Sequence, residues 1–196
     1  MKLWMDLIFL CVLGYFFYRF IQVLIKMKQK VILPASTEEL AMIRRHPEKP
    51  VEVPTYSKQK AGIILSVIML IFVAGMFIAG VFVQPFNWSF YLLVFLPLTY
   101  SHDLLNMFAI IPDGLLCGSR FISWKDIKSY EFVPIDRNHK YYGYSRAVND
   151  GYELKLKTRG FPVSCMITTD EMKENLADVL NKHKTQQVNR NSEQSL

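Results

Sequence analysis

The sequence predicts a membrane α-helical part of three transmembrane helices joined to an α+β domain, a small antiparallel sheet capped by a C-terminal helix. Three observations lead there. The chain of 196 residues is 51% hydrophobic with a mean hydropathy of +0.15, yet 20% of it is charged, so the charges must be segregated from the apolar residues. Residues 3–25, 61–83 and 90–111 form apolar runs of the roughly 20 residues that a helix needs to cross about 30 Å of hydrocarbon. The remaining C-terminal stretch, about 85 residues, approaches the size at which one core becomes possible.

The first run, in an expected helix over 1–25, follows Lys2 as a signal peptide would. It has no small-residue cleavage site, and Arg19 interrupts it seven residues before Lys26, so it reads as an uncleaved anchor. Leu10 is too bulky beside Cys11 for lipoprotein processing. The connector over 26–60 carries eight Lys and Arg against four Glu, while the loop QPFNWS at 84–89 is uncharged. Basic residues near span ends favour the cytoplasm, which puts the N-terminus outside, the connector inside and the C-terminal domain in the cytoplasm of a multi-pass inner-membrane protein. Trp4, Phe86 and Trp88 would then sit at the outer interface. Within the connector, Ser36 or Thr37 can cap a short helix whose Leu40 and Ile43 face the bilayer or the domain, and Pro47, Pro50 and Pro54 enforce an extended return.

The second run contains Gly62 with Ser66 and Gly75 with Ala79, small pairs four apart that permit close helix approach. Together with the third run it occupies 61–111. If the third run is helical throughout, Thr99, His102, Asp103 and Asn106 fall at i, i+3, i+4 and i+7 and make one polar stripe, which must face protein or water. Arg19 and Asp103 come at similar depths and can pair. The alternatives are that Arg19 snorkels while His102 or water satisfies Asp103, or that the stripe is a proton or ion site completed by an oligomer.

The domain over 112–184 reads as strands followed by a helix. Gly118-Ser119 suits a two-residue type II′ hairpin, 127–133 is a further strand, and 152–158 pairs with 161–168 through Arg159-Gly160. Tyr152, Leu154, Leu156, Phe161, Val163, Cys165 and Ile167 would point to the core, with Glu153, Lys155 and Lys157 on the other face. Thr168 and Glu171 fit a capping box for a helix over 169–184 with Met172, Leu176, Val179, Leu180 and His183 on one stripe. Residues 185–196 lack periodicity and read as a disordered tail.

The stretch IPDGLLCGSRFISWKDIKSYEF (111–132), with a Gly ending a span at Gly114, a short hairpin, W-K-D-I at 124–127 and a closing amphipathic helix, resembles the bacterial pleckstrin-homology-like (PH-like) domains of small, largely uncharacterised membrane proteins. The resemblance covers about 111–183. It implies a curved sheet capped by one helix and used for binding, and supplies no catalytic residues.

Residues 134–150 form a long insertion in that pattern, and loops beyond about 12–15 residues are functional or mobile. Its Arg137, His139, Lys140, Tyr141, Tyr142, Tyr144 and Arg146 are the first candidate partner-binding surface; the plain alternative is a solvated loop. Basic residues there can meet anionic lipid headgroups. The net charge of +6 lies mostly in the connector, so lipid rather than nucleic acid is the nearer anion. Cys11, Cys117 and Cys165 lack paired spacing and read as small apolar residues. His46, His102, His139 and His183 fall in four segments, and no nucleophile, metal or phosphate-loop motif is present, so no catalytic residue, metal or cofactor is expected.

The function expected is therefore non-enzymatic: a membrane protein whose cytoplasmic domain docks or regulates a membrane-protein or cell-envelope partner, alone or as a homo-oligomer. The alternative is a component of a transport or immunity system against membrane-active peptides, with its polar site at His102 and Asp103.

Overall fold

A computed structural model describes residues 2–82 and 88–193. It divides into two compact units, one helical and one β-rich.

The helical unit comprises residues 1–28, 54–106 and 118–121. Helices α1 (Lys2–Lys26) and α3 (Lys60–Phe82) are both long and apolar enough to cross a membrane. Among the described residues there is no third helix long enough to cross a membrane, contrary to expectation. Helix α4 covers only Trp88–Thr99, about 18 Å at 1.5 Å per residue. Pro97 lacks a donor inside it, the Thr99 and Ser101 hydroxyls take the Leu96 and Leu98 carbonyls at 2.7 Å each, and Asp103 N–H bonds to the Tyr100 carbonyl as the backbone tightens into a 3₁₀ turn at Ser101–Asp103. Hydropathy could not see this, because Pro97 stands in an otherwise apolar run.

Aromatic packing joins the three helices. Phe9 is buried with its ring 4.8 Å from that of Phe77 and 4.6 Å from that of Phe95, among Leu13, Leu70, Val73 and Leu98. Past the 3₁₀ turn the chain is clamped by Gln59, which is almost wholly buried. Its amide donates to the Asn106 carbonyl at 3.3 Å and accepts the Asn106 N–H at 3.2 Å, as a strand neighbour would. Gly62 is the small residue that permits close approach, and what approaches it is the Leu104 carbonyl rather than another helix. Gly75 has nothing within 4 Å of where its Cβ would be, so no such approach occurs there.

The β-rich unit comprises residues 29–53, 107–117 and 122–196, and its composition overturns the expected boundaries. The connector is part of the fold. Ser36 caps α2 (Thr37–Met42) through the Glu39 N–H, the Glu39 carboxylate returns to the Ala35 N–H, and the chain then forms β1 (Ile43–His46) and β2 (Lys49–Pro50). The end of the third apolar run is also a strand, β3 (Phe108–Ile111). It pairs antiparallel with β4 (Gly114–Cys117), and Gly118 leads into β5 (Arg120–Ser123). Gly118 has φ +56° while Ser119 stays out of the left-handed region, as a type II′ turn requires. A short apolar run has no period that separates buried strand from helix, hence the misplaced boundary.

The remaining strands are β6 (Ile127–Pro134), β7 (Tyr152–Thr158) and β8 (Val163–Ile167). Sheet order is β2-β1-β8-β7-β6, antiparallel throughout, beside a three-stranded β3-β4-β5 sheet. Ile43, Leu154, Leu156, Val163, Cys165 and Ile167 meet Phe108, Ile110, Leu115 and Cys117 in one core, closed by Met172, Leu176 and Leu180 of α6 (Asp170–Glu193). Burial holds the Cys165 thiol well above its usual pKa, so it is a neutral, small apolar residue.

Three details of this unit differ from expectation. Phe161 is 77% exposed, because β8 begins only at Val163. The helix cap is Thr169, whose hydroxyl accepts the Met172 N–H, while Thr168 is taken by the connector, giving both its N–H and its hydroxyl to the Met42 carbonyl. The expected disordered tail is helical through Glu193, since no Pro or Gly follows Pro162 to stop it.

Candidate partner-binding loop and its buried anchor

The insertion between β6 and β7 is a folded flap. Its base is closed by the Ile135 N–H on the Gly151 carbonyl at 2.9 Å. Asp136 starts a turn, its carboxylate taking the Asn138 N–H at 3.0 Å and its carbonyl the His139 N–H at 2.9 Å. Gly143, at φ +89°, reverses the chain and gives its N–H to Asn149 Oδ1 at 2.8 Å, next to the single-turn helix α5 (Arg146–Asn149). Ile135 and Val148 of the flap, with Tyr141 partly buried beside them, pack on Met166 of β8. The flap thus covers the sheet face opposite the main core.

At the centre of that covered face is Glu153, a carboxylate with no solvent exposure. His139 Nε2 and Lys140 Nζ reach it at 3.0 Å and Lys155 Nζ at 3.4 Å. The imidazole tautomer follows from its other nitrogen: Nδ1 accepts the Tyr141 N–H at 3.3 Å, so the proton of the neutral ring is on Nε2 and points at the carboxylate. Burial pushes the Glu153 pKa up, but hydrogen bonds from Lys140, Ser164 and His139 and the charge of Lys140 outweigh it and hold the carboxyl below its ordinary value. Lys140 answers in kind. Burial pulls its ammonium down, and the hydrogen bond and charge of Glu153, with those of the Tyr141 phenol, carry it above the usual value.

The seven loop residues therefore divide into two sets. His139, Lys140 and Tyr141 hold the flap to the sheet, Lys140 with its side chain still 59% exposed, while Arg137, Tyr142, Tyr144 and Arg146 point outward, Tyr144 at 62% exposure. Sequence reasoning missed Glu153, which alternation with Lys155 and Lys157 marks as solvent-facing; the only hint was that the loop has apolar residues of its own, Ile135 and Val148, needing a surface to cover.

The expected intramembrane stripe does not form. The helix ends at Thr99, so Thr99, Asp103 and Asn106 no longer share a helical face, Thr99 and Asp103 are exposed, and the His102 side chain lies outside the described residues, as does Phe86. The contacts described for Arg19 are with Tyr15 one turn earlier, a 3.3 Å hydrogen bond to its hydroxyl and a guanidinium 5.6 Å from its ring centre; the expected pairing with Asp103 is not among them. His183, expected at the polar edge of a helix, stacks on Trp124 with ring centres 4.0 Å apart, and burial first, then Lys182, lowers its pKa. Among the described residues no group of three or more His, Cys, Asp and Glu is placed to hold a metal.

A pH dependence follows for the flap. Glu153 is ionised more readily folded than unfolded, so its contribution is complete above the ordinary carboxylate pKa of 4.5 and is lost as pH falls through the depressed folded value. Hydrogen exchange of the Ile135, His139 and Gly143 amides, which close the flap through the Gly151 carbonyl, the Asp136 carbonyl and Asn149 Oδ1, is expected to be constant after pH correction at neutral pH and to accelerate only once pH has fallen below 4.5 and through the depressed value of Glu153. In Glu153→Gln the same amides should already exchange faster at pH 7; unchanged protection in that variant would remove Glu153 as the anchor.

No family model matches this sequence, and neither a curated protein nor a solved structure was found to match it.

Proposed function

We propose that the protein is a non-enzymatic integral membrane protein whose β-rich unit, read as a PH-like binding module, docks or regulates a partner in the membrane or cell envelope through the exposed tip of the 135–151 flap. The observation that carries this reading is the division of labour around Glu153. A solvated loop would have no need of a buried carboxylate holding three basic side chains, and the anchoring leaves Arg137, Tyr142, Tyr144 and Arg146 presented on a fixed support. Tyr and Arg are the side chains most enriched at binding hot spots, because each offers a large contact area and a polar end.

The membrane placement rests on α1 and α3, whose outward side chains are apolar along their length: Leu7, Leu10, Ile21 and Ile25 on one, Ile64, Ile68 and Ile71 on the other, all about half exposed or more. Residues 29–53 belong to the β-rich unit, which supports reading that unit as lying on the connector's side of the bilayer. The connector's basic excess makes that side the cytoplasm.

A photoreactive phenylalanine analogue at Tyr144, irradiated in intact cells, is expected to yield one dominant protein adduct, which the Arg137→Ala/Arg146→Ala pair should reduce at least about tenfold, an ordinary loss for two hot-spot residues. A probe at exposed Phe161 serves as the control. The same adducts from both positions, or none from Tyr144, would remove the flap tip as the docking surface.

A further inference from the structure

We infer that the helical unit carries a cationic collar, Lys26, Lys28, Lys58 and Lys60, that binds the phosphate headgroups of anionic phospholipid in the leaflet facing the connector. The inference rests on the membrane reading above and adds a lipid class to it.

The collar is assembled by the fold. Lys26 closes the last turn of α1 and Lys60 opens α3. The Tyr56 hydroxyl donates to the Leu24 carbonyl at 2.6 Å, which brings the turn leading into α3 against the end of α1, so two pairs of lysines at least thirty residues apart in the chain collect at one end of the helix pair. Lys28, Lys58 and Lys60 are exposed, and Lys26 holds its ammonium 5.1 Å from the centre of the Phe121 ring, in the same unit. Residues 20–28 and 54–66 contain four Lys and no Asp or Glu. The far end of α3 has no basic residue in its last turn.

The occupant follows from what adjoins the lysines. Ile21 and Ile25 of α1 and Ile64, Leu65 and Ile68 of α3 lie within about two turns of the collar and are 47–59% exposed, an apolar belt continuous with a cationic rim. A phospholipid matches both parts at once: acyl chains along the belt and a phosphate at the rim, where Lys stems also bury against the apolar surface. A soluble anion would satisfy only the rim, and an acidic protein surface would leave the belt in water.

The test uses the full chain reconstituted in phosphatidylcholine vesicles with trace spin-labelled phosphatidylglycerol or phosphatidylcholine. Both labels should show a motionally restricted fraction, with phosphatidylglycerol favoured about fivefold at low salt and about equal to phosphatidylcholine at 0.5 M KCl, roughly the Debye limit at which surface charge is screened out. The preference should vanish in the variant carrying Lys26→Gln, Lys28→Gln, Lys58→Gln and Lys60→Gln, with the total restricted fraction unchanged, and should survive Lys→Arg at the same four positions. A preference that persists in the Gln variant, or restricted lipid without selectivity in the unaltered protein, overturns the collar and leaves the membrane reading standing. Absence of any restricted lipid overturns the membrane reading itself.

Discussion

Replacing Ile43 by alanine is expected to cost the β-rich unit about 2–5 kcal/mol, the range for truncating a buried isoleucine. Ile43 belongs to the stretch that reads as a connector, yet it has no solvent exposure, pairs with Ile167 of β8 and accepts the Val51 N–H at 3.0 Å through its carbonyl. The hole would open between β1 and β8 in the core that also contains Phe108, Leu154 and Leu176, which come from three other parts of the chain. In the full-length protein, amides of β7 and β8 that exchange only by global opening of this unit should speed up at least about thirtyfold, since every 1.4 kcal/mol is a factor of ten. Exchange in α1 and α3 should be unchanged. If faster exchange were confined to 36–51, the connector would be an appendage rather than a structural half of the unit.

Gly62→Ala is expected to damage the helical unit severely. A Cβ at that position would stand 2.2 Å from the Leu104 carbonyl oxygen and 2.8 Å from Leu105 Cδ2, and the first of these belongs to backbone that cannot swing aside. Relief requires the 104–106 segment to lift, which breaks the double hydrogen bond of Gln59 with Asn106. A cost of about 3 kcal/mol or more follows, at the upper end of what overpacking produces. Gly75→Ala is the matched control. With nothing within 4 Å, it gains only helix propensity, worth up to about 1 kcal/mol. Folded yield in detergent should therefore fall for the first and hold or rise for the second; equal behaviour would mean that the close approach at Gly62 does not exist in the protein.

These two positions mark where local reading stopped. The apolar belts of α1 and α3, the Gly118-Ser119 hairpin, the alternation of β7 and the stripe of α6 were all legible, because each is a periodic signal confined to neighbouring residues. The Ser36 cap was legible for the same reason. What local pattern could not supply was partnership across the chain. Residues 43–46 and 108–111 are apolar or mixed runs of four, too short to show a period, and each becomes a strand only because an edge is offered by β8 and β4. Pro97 and two hydroxyls end α4 at Thr99, and the polar residues that follow are positioned by Gln59 and Gly62 rather than by a helix of their own.

The candidate site divides in the same way. Composition alone singles out 134–150 as a long, basic, tyrosine-rich insertion, and nothing in the alternation of Glu153 with Lys155 and Lys157 distinguishes the one side chain that the flap will bury. The sequence by itself determined a helical, membrane-type half, a strand-rich half ended by a helix, and an unusual loop. Only the tertiary structure decided that the connector completes the sheet, that the third apolar run divides between helix and strand, and that the loop is pinned through a buried carboxylate. Hydrophobic periodicity is written in neighbouring residues, whereas strand pairing and the burial of a charge depend on partners dozens of residues away, and those are chosen by the packing of the whole unit.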